Sequence, residues 1–98
     1  MEKEIGLIWK KRCYNSIANI YQYIARNNPQ NAETFIRRIY DFGKSLTILP
    51  DKFASCRFEQ FANRGYYCAV FENNFIFLFR IKGETLYICN IIRTSRLK

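Results

Sequence analysis

Tyr66-Tyr67-Cys68-Ala69-Val70-Phe71, Glu72-Asn73-Asn74, Phe75-Ile76-Phe77-Leu78-Phe79-Arg80-Ile81, Lys82-Gly83-Glu84-Thr85 and Leu86-Tyr87-Ile88-Cys89-Asn90-Ile91-Ile92 follow one another without a gap. Three runs rich in β-branched and aromatic residues are separated by two short polar clusters of turn-forming residues. Such spacing predicts strands over 66–71, 75–81 and 86–92, joined by tight turns into an antiparallel meander. In the last run Leu86, Ile88, Asn90 and Ile92 alternate with Tyr87, Cys89 and Ile91. Both of its faces are largely apolar, which implies a central strand covered on both sides, or a face kept for a partner.

Upstream of the meander the period changes. Residues 4–9 read as a short strand with Ile5, Leu7 and Trp9 on one face. From about Lys10 to Arg26, the positions Cys13, Ile17, Ile20, Tyr21 and Ile24 form one helical stripe. Asn28 is a good N-cap and Pro29 a good first helical residue, so a second helix is expected from Pro29 to about Leu46. Its apolar positions are Ala32, Phe35, Ile36, Ile39, Tyr40, Gly43 and Leu46. So short a connection makes the pair an antiparallel hairpin. Residues 51–64 carry Lys52, Phe53, Arg57, Phe58, Phe61 and Arg64 and read as irregular, with some strand content open. The expected fold is α+β, in the order β-α-α-β-β-β: a helical hairpin on one side of a mostly antiparallel sheet, in one domain spanning 1–98.

Sixteen Lys and Arg against eight Asp and Glu give a net charge of +8. Such a field draws in polyanions and acidic proteins, although charge kept for solubility accounts for it too. The start of the chain is charged and has no apolar run of signal-peptide type, and no stretch has the length of a membrane span. A cytoplasmic location is therefore expected. Cys13, Cys56, Cys68 and Cys89 form no C-x-x-C, and the chain has no histidine, so no Cys/His zinc site can form. No metal or cofactor is expected, and the cysteines read as small buried apolar residues.

Several segments coincide, in order, with a known family. They are the opening strand ending at Trp9, Ile20-Tyr21-Gln22-Tyr23-Ile24-Ala25, Asn28-Pro29-Gln30-Asn31-Ala32, Leu46-x-x-Leu49-Pro50, and the closing Ile88-Cys89-Asn90-Ile91-Ile92-Arg93. Over nearly its whole length the chain resembles the RelE/ParE toxin superfamily. The tract Tyr23-Ile24-Ala25-x-x-Asn28-Pro29-x-x-Ala32 is similar to the ParE branch. The resemblance implies the toxin of a type II toxin–antitoxin, or plasmid stabilisation, system. Such a toxin is held in a heteromeric complex by a cognate antitoxin that lays a flexible, often acidic segment over it. It also implies one of two activities: binding and poisoning DNA gyrase without a chemical step, or cleaving mRNA in the ribosomal A site. A third reading is a non-toxic basic binding domain.

Cleavage needs the 2′-hydroxyl deprotonated, the phosphorane stabilised and the leaving oxygen protonated. The basic candidates are Lys52, Arg57, Arg64, Arg80 and Arg93, expected to gather in one cleft, with Arg96 in the tail. Proton-transfer candidates are Glu59, Tyr66, Tyr67 and Tyr87, so a nuclease would rest on Arg57, Glu59, Arg80 and Tyr87. Where many relatives carry His after the last strand, this chain has Arg93. A guanidinium is a poor general acid but a good phosphate clamp, which favours binding over cleavage. Arg80 interrupts an apolar strand and needs water, a ligand, or a carboxylate such as Glu72 or Glu84. Phe75, Phe77 and Phe79 are expected in the core rather than stacking on bases. Tyr14, Tyr21 and Tyr23 are expected in the core or at its rim.

Overall fold

Seven elements make up a computed structural model, which describes residues 5–48 and 59–94. They are β1 (Gly6–Trp9), α1 (Lys11–Ala25), α2 (Pro29–Ser45), α3 (Glu59–Ala62), β2 (Tyr67–Phe71), β3 (Phe75–Lys82) and β4 (Thr85–Arg93). The α+β fold expected from the periodicities is the one observed. Asn28 caps α2 through its side-chain oxygen, which accepts from the Asn31 N–H at 3.1 Å. The segment read as irregular contains the single helical turn α3. Lys52 and Arg57 lie outside the described residues, as does Arg96.

The strand order is β1-β4-β3-β2, with β2–β3 and β3–β4 antiparallel. The first strand pairs in parallel with the last, Gly6 opposite Thr85 and Trp9 opposite Ile88. The last strand is therefore central, as its two apolar faces implied. Gly83, at φ +61°, opens the two-residue turn between Lys82 and Thr85, where only glycine is unstrained.

One irregularity governs everything downstream of it. Leu78 faces Asn90, but Phe79 faces Ile88, so Cys89 is an extra residue in β4. This β-bulge reverses the inward–outward parity of the strand. Leu86, Ile88 and Ile91 enter the core under the helices, while Ile92 reaches the opposite face. The simple alternation of Leu86, Ile88, Asn90 and Ile92 is corrected accordingly.

The main core lies between the helical hairpin and the sheet. Cys13, Ile17 and Ile20 of α1 and Ile39 of α2 meet Phe77, Phe79, Leu86 and Ile88. Phe75, Phe77 and Phe79 are thus core residues, as expected. A smaller cluster covers the other face, where Ile76 and Leu78 are packed by Phe61, Ala62, Tyr66, Cys68 and Ile92.

Gly43 brings α2 hard against the sheet: a Cβ there would stand 2.4 Å from Trp9 Cη2 and 2.9 Å from Ile88 Cδ1. Tyr14, Tyr21 and Tyr23, expected in or near the core, are exposed instead. The stripe of Cys13, Ile17 and Ile20 fills the narrow contact of α1, leaving the tyrosines on its flanks.

Cys13 is a buried free thiol, in keeping with the sequence reading, and Cys89 is free and half-buried. Cys68 departs from that reading because it is disulfide-bonded. Such a bond depends on two Cβ atoms meeting in space at about 4 Å, which chain spacing does not reveal.

Candidate functional site

On the sheet face away from the α1–α2 hairpin, the basic and aromatic candidates divide into those brought together and those kept apart. Arg80 and Tyr87 are opposite each other on neighbouring strands. The Arg80 guanidinium lies 4.1 Å above the Tyr66 ring and donates from Nη2 to the Arg64 carbonyl at 2.8 Å. Two polar demands are met this way: the cation has a π face, and the loop carbonyl has a donor. Glu72, one of the carboxylates considered for Arg80, is instead held by Arg38 through two contacts of 3.1 Å.

Tyr87 carries a second cation. Lys10 Nζ sits 5.1 Å from its ring centre. The lysine is placed by the parallel β1–β4 pairing, and its N–H donates to the Ile88 carbonyl at 2.9 Å. Sequence reading missed Lys10, because no local signal announces which strand β1 joins. Cys89 completes the group: burial pushes its thiol pKa up, against the opposing pull of Arg80 and Lys10. The result is a band of alternating rings and cations, Tyr66–Arg80–Tyr87–Lys10, in which Arg64 takes part through its backbone carbonyl.

Tyr67 does not belong to this face. Its ring stacks on Phe79 at 5.6 Å and 24° and joins the helix-side core. Glu59 opens α3 and is exposed. Among the described residues, no hydrogen bond or ion pair links it to Arg80 or Tyr87.

Arg93 is also elsewhere, so the single basic cleft expected from the sequence is corrected. It pairs with Phe75, five residues along β3 from Arg80, or about 17 Å at roughly 3.4 Å per residue. The bulge turns it to the helix side, where its guanidinium lies 4.1 Å above the Tyr23 ring. There it borders a groove of about 350 Å³ between α1 and β4, with Ser16, Asn19, Arg26 and Asn90 on its walls. Asn90 Oδ1 accepts from Ser16 Oγ at 2.6 Å and from the Ile91 N–H at 2.9 Å, which fixes helix to strand at the bulge.

No helix among the described residues is long and apolar enough to cross a membrane. In fold, the chain is similar to a solved chain of the chromosomal ParDE toxin–antitoxin system from P. aeruginosa. The TM-score is 0.76 at 24% identity, over 92% of this chain and 96% of that one. No curated relative matches the sequence. The family model described as "ParE toxin of type II toxin-antitoxin system, parDE" matches residues 7–98. The chain belongs to the ParE toxin family of type II toxin–antitoxin systems, whose paired composition makes an antitoxin its partner.

Proposed function

We propose that this toxin arrests growth in the cytoplasm by binding DNA gyrase, and that the contact is made by Arg64, Tyr66, Arg80, Tyr87 and Lys10. The observation that carries this reading is the clamp on Arg80. A guanidinium held between a tyrosine face and a backbone carbonyl has lost most of its rotamer freedom before any partner arrives. Arginine and tyrosine fixed in this way are the residue types that dominate protein–protein affinity. Lys52, Arg57 and Arg96, outside the described residues, remain candidates on charge alone.

The test is supercoiling by purified gyrase with the toxin titrated in. Inhibition is expected, with Arg80→Ala raising the half-inhibitory concentration by at least about tenfold. Cells induced to make the toxin should stop dividing and form filaments. Normal supercoiling at saturating toxin would overturn the proposal.

A second reading, mRNA cleavage on the ribosome, is favoured by one observation: Arg80 and Tyr87 are directly opposite each other, a phosphate clamp beside a phenol. For that reading Tyr87→Phe abolishes cleavage in a translating extract. A gyrase binder tolerates the same change with little loss.

A further inference from the structure

Cys68 has no part in the contact surface described above, yet it is tied to it through the chain. It lies on β2, an edge strand, half-buried opposite Leu78, and it is disulfide-bonded. Of the four cysteines in the sequence, Cys13 and Cys89 are free thiols, which leaves Cys56, outside the described residues, as its partner. A bond between these two closes a loop of residues 56–68. That loop carries both groups that hold the Arg80 guanidinium, the Tyr66 ring at 4.1 Å and the Arg64 carbonyl at 2.8 Å.

Among the described residues, the non-covalent hold on this segment is thin. α3 is a single turn, too short to be stable by itself. The N–H groups of Asn63, Arg64, Gly65 and Tyr66 donate to the carbonyls of Glu59, Phe61 and Ala62, all within the same segment. Phe61, Ala62 and Tyr66 are only partly buried, against Ile76 and Leu78. A segment with so little buried apolar surface opens locally at small cost, and a covalent cross-link restricts what it can reach when open.

We infer that the Cys68 disulfide is a redox latch on Arg80. Oxidised, it pins α3 and the turn after it to the sheet, so that the Tyr66 ring and the Arg64 carbonyl stay against the guanidinium. Reduced, it frees the segment, and Arg80 loses its fixed setting. In reduction, the thiolate of a cellular thiol attacks one sulfur, forms a mixed disulfide and releases a cysteine thiolate, which takes up a proton. A second thiol then displaces the remaining protein sulfur. Two electrons and two protons reach the protein as two thiols, and the reductant leaves as its own disulfide. Neither free cysteine diverts this exchange. Cys13 is fully buried with its thiol pKa pushed up to about 12, and burial raises that of Cys89, so both stay protonated at neutral pH, where only the thiolate attacks. Cytoplasmic thiols are kept reduced, so the latched toxin is the form made under oxidative conditions. The consequence for gyrase rests on the function proposed above, whereas the latch itself does not.

The experiment is backbone hydrogen exchange of the purified wild-type toxin, oxidised and then reduced with dithiothreitol, read by mass spectrometry. Amides of residues 59–66 are expected to exchange at least about tenfold faster after reduction, while those of β3 and β4 are unchanged. Peptide mapping of the oxidised form should join Cys68 to Cys56. Cys68→Ser and Cys56→Ser should each exchange at the reduced rate with or without dithiothreitol. In the supercoiling assay, with gyrase in the same reductant as control, reduction should raise the half-inhibitory concentration of the toxin by at least about fivefold.

Equal exchange of residues 59–66 in the two forms would overturn the inference. So would a rise shared equally by β3 and β4, which would make the cross-link a brace for the whole fold. A difference in exchange with equal inhibition of gyrase by both forms would break the link to Arg80. If the exchange differs as expected but neither form inhibits gyrase, the latch stands and the gyrase reading falls.

Discussion

Gly43→Ala is the sharpest test of the packing. The added methyl would stand 2.4 and 2.5 Å from Cη2 and Cζ2 of Trp9 and 2.9 Å from Ile88 Cδ1. Ordinary carbon contacts begin near about 3.5 Å, so the indole must retreat by about 1 Å. It has little room. Tyr40 meets it edge-on at 5.0 Å, Phe77 stands at 6.3 Å, and Ile88 is fully buried.

Alanine gains about 1 kcal/mol of helix propensity over glycine. Overpacking on this scale costs about 3 kcal/mol, the upper end of what inserted methyl groups produce. The expected net loss is about 2 kcal/mol, or roughly 8–16 °C in Tm for a domain of this size. Urea unfolding can be followed on Trp9 itself, since the chain has one tryptophan.

Trp9→Phe deletes the two ring carbons that collide. In a double-mutant cycle monitored by circular dichroism, it should cost at least about 1 kcal/mol less in the Gly43→Ala background than in the wild type. A Gly43→Ala protein as stable as the wild type, or strictly additive costs, would refute the argument.

Two further predictions concern single residues. Cys13 is fully buried, donates to the Ile88 carbonyl at 2.9 Å, and has its thiol pKa pushed up from 9.0 to about 12, mainly by burial. The folded state therefore holds its proton where the unfolded chain releases it. This contribution is intact below about pH 9 and is lost as pH rises toward 12, at about 1.4 kcal/mol per unit. Cys13→Ala should flatten that part of the denaturation-versus-pH curve, and an unchanged slope would rule the assignment out. Glu72 holds φ +50° and Asn73 φ +64° in the β2–β3 turn. Glu72→Gly relieves left-handed strain of about 1 kcal/mol, offset by loss of the exposed Arg38 pair and by glycine's entropy, so it should be close to neutral. Glu72→Val should cost about 2 kcal/mol by urea unfolding, because a β-branched residue resists positive φ. Equal stabilities for the two variants would argue against the turn geometry.

The elements were legible in the sequence because each is written locally. Asn28-Pro29 marks a helix start, Glu72-Asn73-Asn74 and Lys82-Gly83-Glu84 mark turns, and the alternation between them marks strands. Pairing between distant strands is not local, so the parallel β1–β4 ladder was illegible, and with it the position of Lys10. The single basic cleft fails at Arg93 for a definite reason. Straight alternation from Tyr87 puts Arg93 on the same face as Arg80, but the extra Cys89 inverts the count. A bulge is a tertiary accommodation without a residue signature here, and it moved a candidate target residue to the opposite side of the sheet. Tyr66 was named as a proton carrier. Its ring lies under the Arg80 guanidinium, a contact between neighbouring strands that chain spacing does not announce.

The pairing of Gly6–Trp9 with Thr85–Ile88 also bears on when the fold is completed. On the ribosome, the helical hairpin emerges long before β4, yet Cys13, Ile17 and Ile20 have their main apolar partners on β3 and β4. Both neighbours of β4 precede it in the chain, so the four-stranded sheet cannot form until β4 has emerged. Ordering such distant contacts is slow compared with local helix formation. The stripe of Cys13, Ile17 and Ile20 therefore waits without its main cover until β3 and β4 arrive.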